Sequence, residues 1–202
     1  MQFYVNSLIK NLPEMFIGKM NVILDGGAFS GSYILGGLYY LKELEDTNRF
    51  CVDKMSGCSI GSILCILYKL NRLDACHRVY DNIRKHFKEH GNLHIIKNIL
   101  SEIKEEMDEN FYLKCNDKIF LTYYDVLDKK HIVKSTFVNN DDIIDTALKS
   151  SYIPYICGET MFHEDRFLDG LKPYDFRGEK SLFFNLCMNC LLYTSPSPRD
   201  TI

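Results

Sequence analysis

Ser59 stands in the pentapeptide Gly57-Cys58-Ser59-Ile60-Gly61, a G-x-S-x-G pattern. A serine hydroxyl becomes a nucleophile only beside a group that takes its proton. The pattern follows a short apolar stretch, Cys51 to Met55, and precedes a helical one, Ser62 to Leu70. Between a strand and a helix it makes a sharp elbow that lifts the serine oxygen above a sheet. Small flanking residues let the backbone pass without clashes. Two further features supply complementary chemistry. Asp25-Gly26-Gly27-Ala28-Phe29-Ser30-Gly31 is a glycine-rich loop, and Phe167-Leu168-Asp169-Gly170 places a carboxylate at a strand end. Nucleophile, proton acceptor and amide donors for an oxyanion are the parts that acyl transfer from an ester requires.

Each feature also has a plain structural reading. A serine between glycines can be just a turn, and Asp-Gly is a frequent turn pair. The glycine loop could hold a phosphate or a dinucleotide instead. However, Ala28 occupies the second glycine position of G-x-G-x-x-G counted from Gly26, and no Gly-Lys-Ser/Thr follows. As an oxyanion site, the loop would act with the N–H of Ile60, the residue after the serine. Among the six histidines, His77, His86, His90 and His94 fall in a charged helical stretch, and His131 in a Lys-Lys-His turn. His163 marks a hairpin tip before Asp169. A Ser–Asp–His hydrolase places its histidine after the acid, and none follows Asp169.

The elements that must position these groups can be read from periodicity. Asn21 to Leu24 is a short buried strand, and Gly31 to Glu45 has the apolar spacing of a helix packed on a sheet. Phe50 to Met55 is a second strand and Ile60 to Leu70 a second apolar helix. Two strand–turn–helix units in succession imply a parallel α/β core. Asp74 to His90 and Leu93 to Met107 read as amphipathic helices, Ile119 to Tyr124 as a strand, and His131 to Phe137 as its neighbour. Asp141 to Lys149 reads as a helix capped by Asn140 or Asp141. A turn follows around Pro154, then short strands at Arg166 to Leu168 and Leu182 to Met188.

The 202 residues fit one domain, with 46% hydrophobic and 13% aromatic content arguing against disorder. A net charge of -3 gives no electrostatic case for nucleic-acid binding. The cysteines are scattered and mostly apolar in context, which implies reduced thiols of an intracellular protein. Cys187-x-x-Cys190 lacks a partner pair, so no metal site is expected. Neither a signal peptide nor a transmembrane run is expected, which implies a cytoplasmic or peripheral-membrane location. The tail from Cys190 to Asp200 resembles a translated sequencing adapter. The domain is therefore expected to cover 1–189 without its true C-terminus, and 190–202 to be non-native.

Taken in order and spacing, the glycine loop, the elbow and the Asp-Gly pair resemble the three signatures of the patatin-like phospholipase family. Ala147-Leu148-Lys149-Ser150-Ser151-Tyr152-Ile153-Pro154 is similar to its small-residue and proline segment. The resemblance runs from about Asn21 to Tyr174. It implies a three-layer α/β/α fold with a mainly parallel sheet, and lipid acyl hydrolysis by a Ser–Asp dyad through an acyl-enzyme. No cofactor or metal is implied. Ser59 would be the nucleophile and Asp169 its base, with Gly26, Gly27, Ala28 and Ile60 at the oxyanion hole. Gly31, Gly57, Gly61 and Gly170 are the remaining motif glycines. The implied partners are a lipid ester and a lipid surface, with no nucleic acid. Alternatives are an inactive lipid-binding relative, or a Ser–Asp–His enzyme whose histidine was lost with the missing tail. The chain departs from the family at Ala28, where a third glycine is usual, and at Ser30, where a basic residue is frequent. It departs again at Leu171, where a small residue is usual. Ala28 is expected to keep its N–H available at negative φ. Asp169 is expected to have a raised pKa, because an ordinary carboxylate is a poor base towards serine.

Overall fold

The computed structural model describes residues 2–10 and 18–186. The core is a sheet of mainly parallel strands. These are β1 (Gly18–Leu24), β2 (Phe50–Cys58), β3 (Ile119–Asp125), β4 (Lys130–Lys134), β5 (Phe167–Asp169) and β6 (Ser181–Phe184). Their order is β4-β3-β2-β1-β6, and β5 pairs with β3. β1 runs parallel to β2 and β6, and β2 parallel to β3. β4 and β5 are antiparallel to β3.

The helices are α1 (Gln2–Lys10), α2 (Gly31–Asp46), α3 (Ile60–Lys69), α4 (Ala75–His90), α5 (Ile96–Glu105), α6 (Phe111–Cys115) and α7 (Asn140–Ser150). The crossovers β1–α2–β2 and β2–α3–β3 both step in one direction along the sheet. Right-handed connections therefore bring α2 and α3 to the same face. Strand residues on that face alternate with the pleat: Val22, Leu24, Met55, Ile119 and Leu121. They share one buried cluster with Ile34, Leu38 and Leu41 of α2, Ile63 and Leu67 of α3, Ile99 and Ile103 of α5, and Ile143 and Ala147 of α7. On the opposite face the strap 170–176 crosses the sheet. Tyr174 N–H donates to Ser56 Oγ at 2.7 Å, and Thr122 Oγ1 donates to Lys172 O at 2.7 Å. Phe120 packs there against Tyr174 and Phe176.

The α/β class and mainly parallel sheet agree with the sequence. Three details differ. β2 continues to Cys58, because pairing with β1 and β3 carries Ser56 and Gly57 into the sheet despite their poor strand propensity. The N-cap of α7 is Asn139, whose side chain accepts Asp142 N–H at 2.9 Å. The short helices α1 and α6 have no counterpart in the sequence reading. Cys51, Cys58, Cys65, Cys76, Cys115 and Cys157 are free thiols, and all but Cys51 are buried. The expected final strand, Leu182 to Met188, is β6, which ends at Phe184; Cys187, Met188, Cys190 and the tail lie outside the described residues. No helix among the described residues is long and apolar enough to cross a membrane.

Candidate active site

Strand pairing explains how residues 59 and 169 meet. β2 runs along one edge of β3 until Cys58 pairs with Thr122. β5 takes up the same edge from the next position, with Asp169 opposite Tyr123, and runs the other way. The ends of β2 and β5 therefore approach each other head-on along β3. β5 is secured by Arg166, which bridges Asp125 at 2.6 Å and Asp128 at 2.9 Å. The Arg166 hydrogen bond, offset in part by burial, holds the Asp125 carboxyl below its ordinary range.

β2 turns into α3 at Ser59, whose φ of 53° lies in the left-handed region. Such a conformation persists only where the surroundings dictate it, and here they do. A Cβ on Gly57 would sit 2.4 Å from Gly61 O, and one on Gly61 would sit 2.6 Å from Leu24 O. Ser59 N–H donates to both the carbonyl oxygen (3.1 Å) and the hydroxyl (3.0 Å) of Ser150. Ser62 Oγ donates to Ser59 O at 2.6 Å.

Ser59 and Asp169 line the same cleft. Burial raises the Asp169 pKa above its ordinary value, in partial opposition to the nearby Ser59 hydroxyl and the Leu171 amide. Leu171 N–H donates to Asp169 Oδ1 at 2.8 Å, and Asp169 N–H donates to Tyr152 O at 3.0 Å. The next residue must be glycine, since a Cβ on Gly170 would lie 2.3 Å from Thr122 O. Leu171 itself has a φ of 60°.

Gly26 packs directly on the elbow, its absent Cβ position 3.2 Å from Ser59 Cβ. Its N–H already donates to Asp25 Oδ1 at 2.9 Å. The hydrogen bonds among the described residues leave the N–H groups of Gly27, Ala28 and Ile60 without an acceptor. Ile60 opens α3, where the helix dipole favours negative charge. Ala28 adopts a φ of 45°, not the negative value expected from sequence. The turn from Gly27 at φ 152° into a 3-10 segment over Ala28–Ser30 requires it. Leu186 closes against this loop, its N–H on Asp25 Oδ2 at 3.2 Å.

Two hollows meet at Ser59. One is a cleft of about 510 Å³ lined by Gly27, Ser59, Tyr124, Pro154, Asp169 and Leu171, among others. The second is narrow and apolar, running inward past Phe29, Ile63, Ile83 and Ile96. No histidine lines either hollow. His163 forms the predicted hairpin tip, bridging Phe167, with Glu164 and Asp165 at positive φ in the turn. His131 Nε2 lies 2.9 Å from Gly170 O and 3.1 Å from Lys172 O, so its ring braces the acid turn from behind. Ser150 and His131 are the contributors that sequence reasoning missed. Ser150 belongs to the segment Ala147 to Pro154, but nothing in that pattern specifies a contact 91 positions back along the chain.

The model of patatin-like phospholipases matches residues 22–184. The chain belongs to this family. It is also 26% identical over 161 residues to the 1-acylglycerol-3-phosphate O-acyltransferase Pnpla3 of Mus musculus, covering 72% of this chain. The alignment spans 37% of that relative's length. The matched span contains the glycine loop, the elbow and Asp169, and so the whole juxtaposition described above.

Proposed function

We propose that the protein is a lipid acyl hydrolase working through a Ser59–Asp169 dyad. The reading is supported above all by the placement of both side chains on one cleft with apolar walls, the Ser59 hydroxyl close enough to the Asp169 carboxylate to lower its pKa. Ser59 Oγ attacks the ester carbonyl carbon and its proton passes to Asp169. Gly27, Ala28 and Ile60 donate to the developing oxyanion. Collapse of the tetrahedral intermediate expels the alcohol, which takes the proton back from Asp169 and leaves an acyl-enzyme. Water then attacks the acyl carbon, giving its proton to Asp169, and collapse releases the acid and restores the Ser59 hydroxyl. The same acyl-enzyme could pass its acyl group to another alcohol, the class of reaction named for the mouse relative.

The raised pKa of Asp169 suits this role, since a stronger base accepts the serine proton more readily. Leu171 is 81% exposed beside the cleft and Tyr155 is 65% exposed next to the cleft residue Pro154, apolar surface suited to a lipid interface. A fluorophosphonate probe should label the wild-type protein at Ser59 and fail to label Ser59→Ala. Labelling that survives in the variant refutes the dyad. Vesicle binding with neither labelling nor ester turnover would favour an inactive lipid-binding relative instead.

A further inference from the structure

Away from the cleft, three side chains with metal-binding atoms converge. Asp145 lies on α7, and His163 and Glu164 form the tip of the hairpin that leads into β5. One ligand atom from each lies within 4.8 Å of the other two. His163 Nε2 stands 3.9 Å from Asp145 Oδ1 and 4.0 Å from Glu164 Oε1. Both gaps are too wide for a hydrogen bond. Nε2 is buried with no hydrogen-bond partner among the described residues. A buried ring nitrogen is ordinarily paired, so this one calls for an explanation.

The ion pairs with Lys149 do not supply one. Its ammonium meets Asp145 Oδ2 at 2.7 Å and Glu164 Oε2 at 3.2 Å, the other oxygen of each carboxylate. Lys149 thereby orients both acids, as hydrogen-bonding groups behind metal ligands do. Backbone bonds fix the histidine: its N–H donates to Phe167 O at 2.9 Å, and Phe167 N–H donates to His163 O at 2.8 Å. A zinc ion bonded tetrahedrally at about 2.0–2.2 Å holds its ligand atoms about 3.4 Å apart. The two gaps need close by only about half an ångström to reach that spacing. Asp145 and Glu164 can adjust by this much, since their side chains are 38% and 54% exposed. All three residues line an open cleft of about 520 Å³ beside α5 and α7, which gives an ion a path from solvent and room for water ligands.

We propose that Asp145, His163 and Glu164 bind a divalent transition-metal ion of the zinc class, which clamps the hairpin ahead of β5 to α7. Two carboxylates against one ammonium leave negative charge for the ion to meet. An imidazole in the donor set favours zinc over magnesium and calcium, which prefer oxygen ligands alone. The clamp bears on the acid turn. The His163 ring packs on Tyr152, with centroids 5.3 Å apart, and Tyr152 O accepts the Asp169 N–H. The metal site and the dyad are separate readings, and neither depends on the other.

The test titrates zinc into the metal-free full chain against a chromophoric chelator. Wild-type protein should bind one more equivalent with micromolar affinity than His163→Ala or Asp145→Asn. Glu164→Gln, a change at a half-exposed tip, keeps the test open if those variants do not fold, and should weaken that equivalent about tenfold or more. His86 and His90, one turn apart on α4 with ring centroids 4.5 Å apart, are rival ligands, so His86→Ala/His90→Ala serves as the control. It should lose none of the difference, and magnesium should not displace the zinc. Zinc should also raise the melting temperature of the wild type and the control, but not that of Glu164→Gln. Equal zinc binding by the wild type and the folded ligand variants overturns the proposal. So does loss of the difference in the control, or displacement of the zinc by equimolar magnesium.

Discussion

The elbow at Ser59 and the acid turn at Leu171 both hold a non-glycine residue at positive φ, 53° and 60° respectively, but by different means. At the elbow, backbone packs on backbone. Gly57 nests on Gly61, Gly61 on Leu24, and Gly26 on Cys58 and Ser59, with no room for one further carbon. At the acid turn only Gly170 is enclosed, while Leu171 points into solvent. Polar groups fix the turn instead: Asp169 Oδ1 on the Leu171 amide, and Thr122 and His131 on the carbonyls of Gly170 and Lys172. The nucleophile candidate is held by packing and the candidate base by hydrogen bonds. Substitutions should therefore be severe and structural on one side, graded and chemical on the other.

The largest effect tests the acid side. Asp169→Asn keeps the shape and removes the proton acceptor, so kcat/KM should fall about 10²–10⁴-fold. Under the proposed dyad, activity requires ionised Asp169, so in the wild type it should decline as pH falls through a pKa above the ordinary 3.8. Stability should move the other way. A carboxylate with a raised folded-state pKa is penalised while ionised, and protonation relieves it as pH falls through that pKa. Asp169→Asn should flatten this contribution to a thermal-melting profile against pH. An acid limb at or below 3.8 would show that burial does not tune this group.

Next in size is Gly61→Ala. The added carbon lies 2.6 Å from Leu24 O and 2.8 Å from Asp25 O, both backbone atoms that cannot swing aside. The expected cost is about 3 kcal/mol, near the upper end for overpacking, read by denaturant unfolding. A cost below about 1 kcal/mol would mean that the elbow is looser than its contacts imply. Ser150→Ala should come third. It deletes one of two acceptors for the Ser59 amide but leaves the carbonyl, a loss of about 0.5–1.5 kcal/mol. As a positioning residue it should lower kcat more than it raises KM, a split that a merely structural role would not produce.

The two regions also differ in how far sequence reveals them. The elbow was legible because its demands are local. Glycines two before and two after the serine, between an apolar strand and an apolar helix, leave few other conformations. The run Val22-Ile23-Leu24 and the spacing of α2 were equally plain, since burial writes itself into periodicity. The bracing of Asp169 was not legible. Ser150, Tyr152, Thr122 and His131 reach it by pairings set only when β5 docks on β3, and no short window contains them. Ala28 shows the same limit. Its residue type favours negative φ, but the turn between β1 and α2 demands the opposite sign, and the turn prevails.

Leu171 offers the finest test of the comparison, because its effects nearly cancel. A left-handed backbone costs a side-chain-bearing residue about 1–2 kcal/mol, which glycine escapes. Glycine in turn loses about 0.5–1 kcal/mol through greater freedom in the unfolded chain. Leu171→Gly should therefore change stability by no more than about 1.5 kcal/mol, on the stabilising side. Leu171→Val, branched at Cβ and ill-suited to positive φ, should destabilise and weaken the amide bond to Asp169 Oδ1. Removing that bond takes away a contact that lowers the Asp169 pKa, so the acid limb in Leu171→Val should shift upward. If valine and glycine give the same stability and the same limb, residue 171 is not held at positive φ. The base would then be oriented by Gly170 and its packing on Thr122, the mode of restraint that governs the elbow.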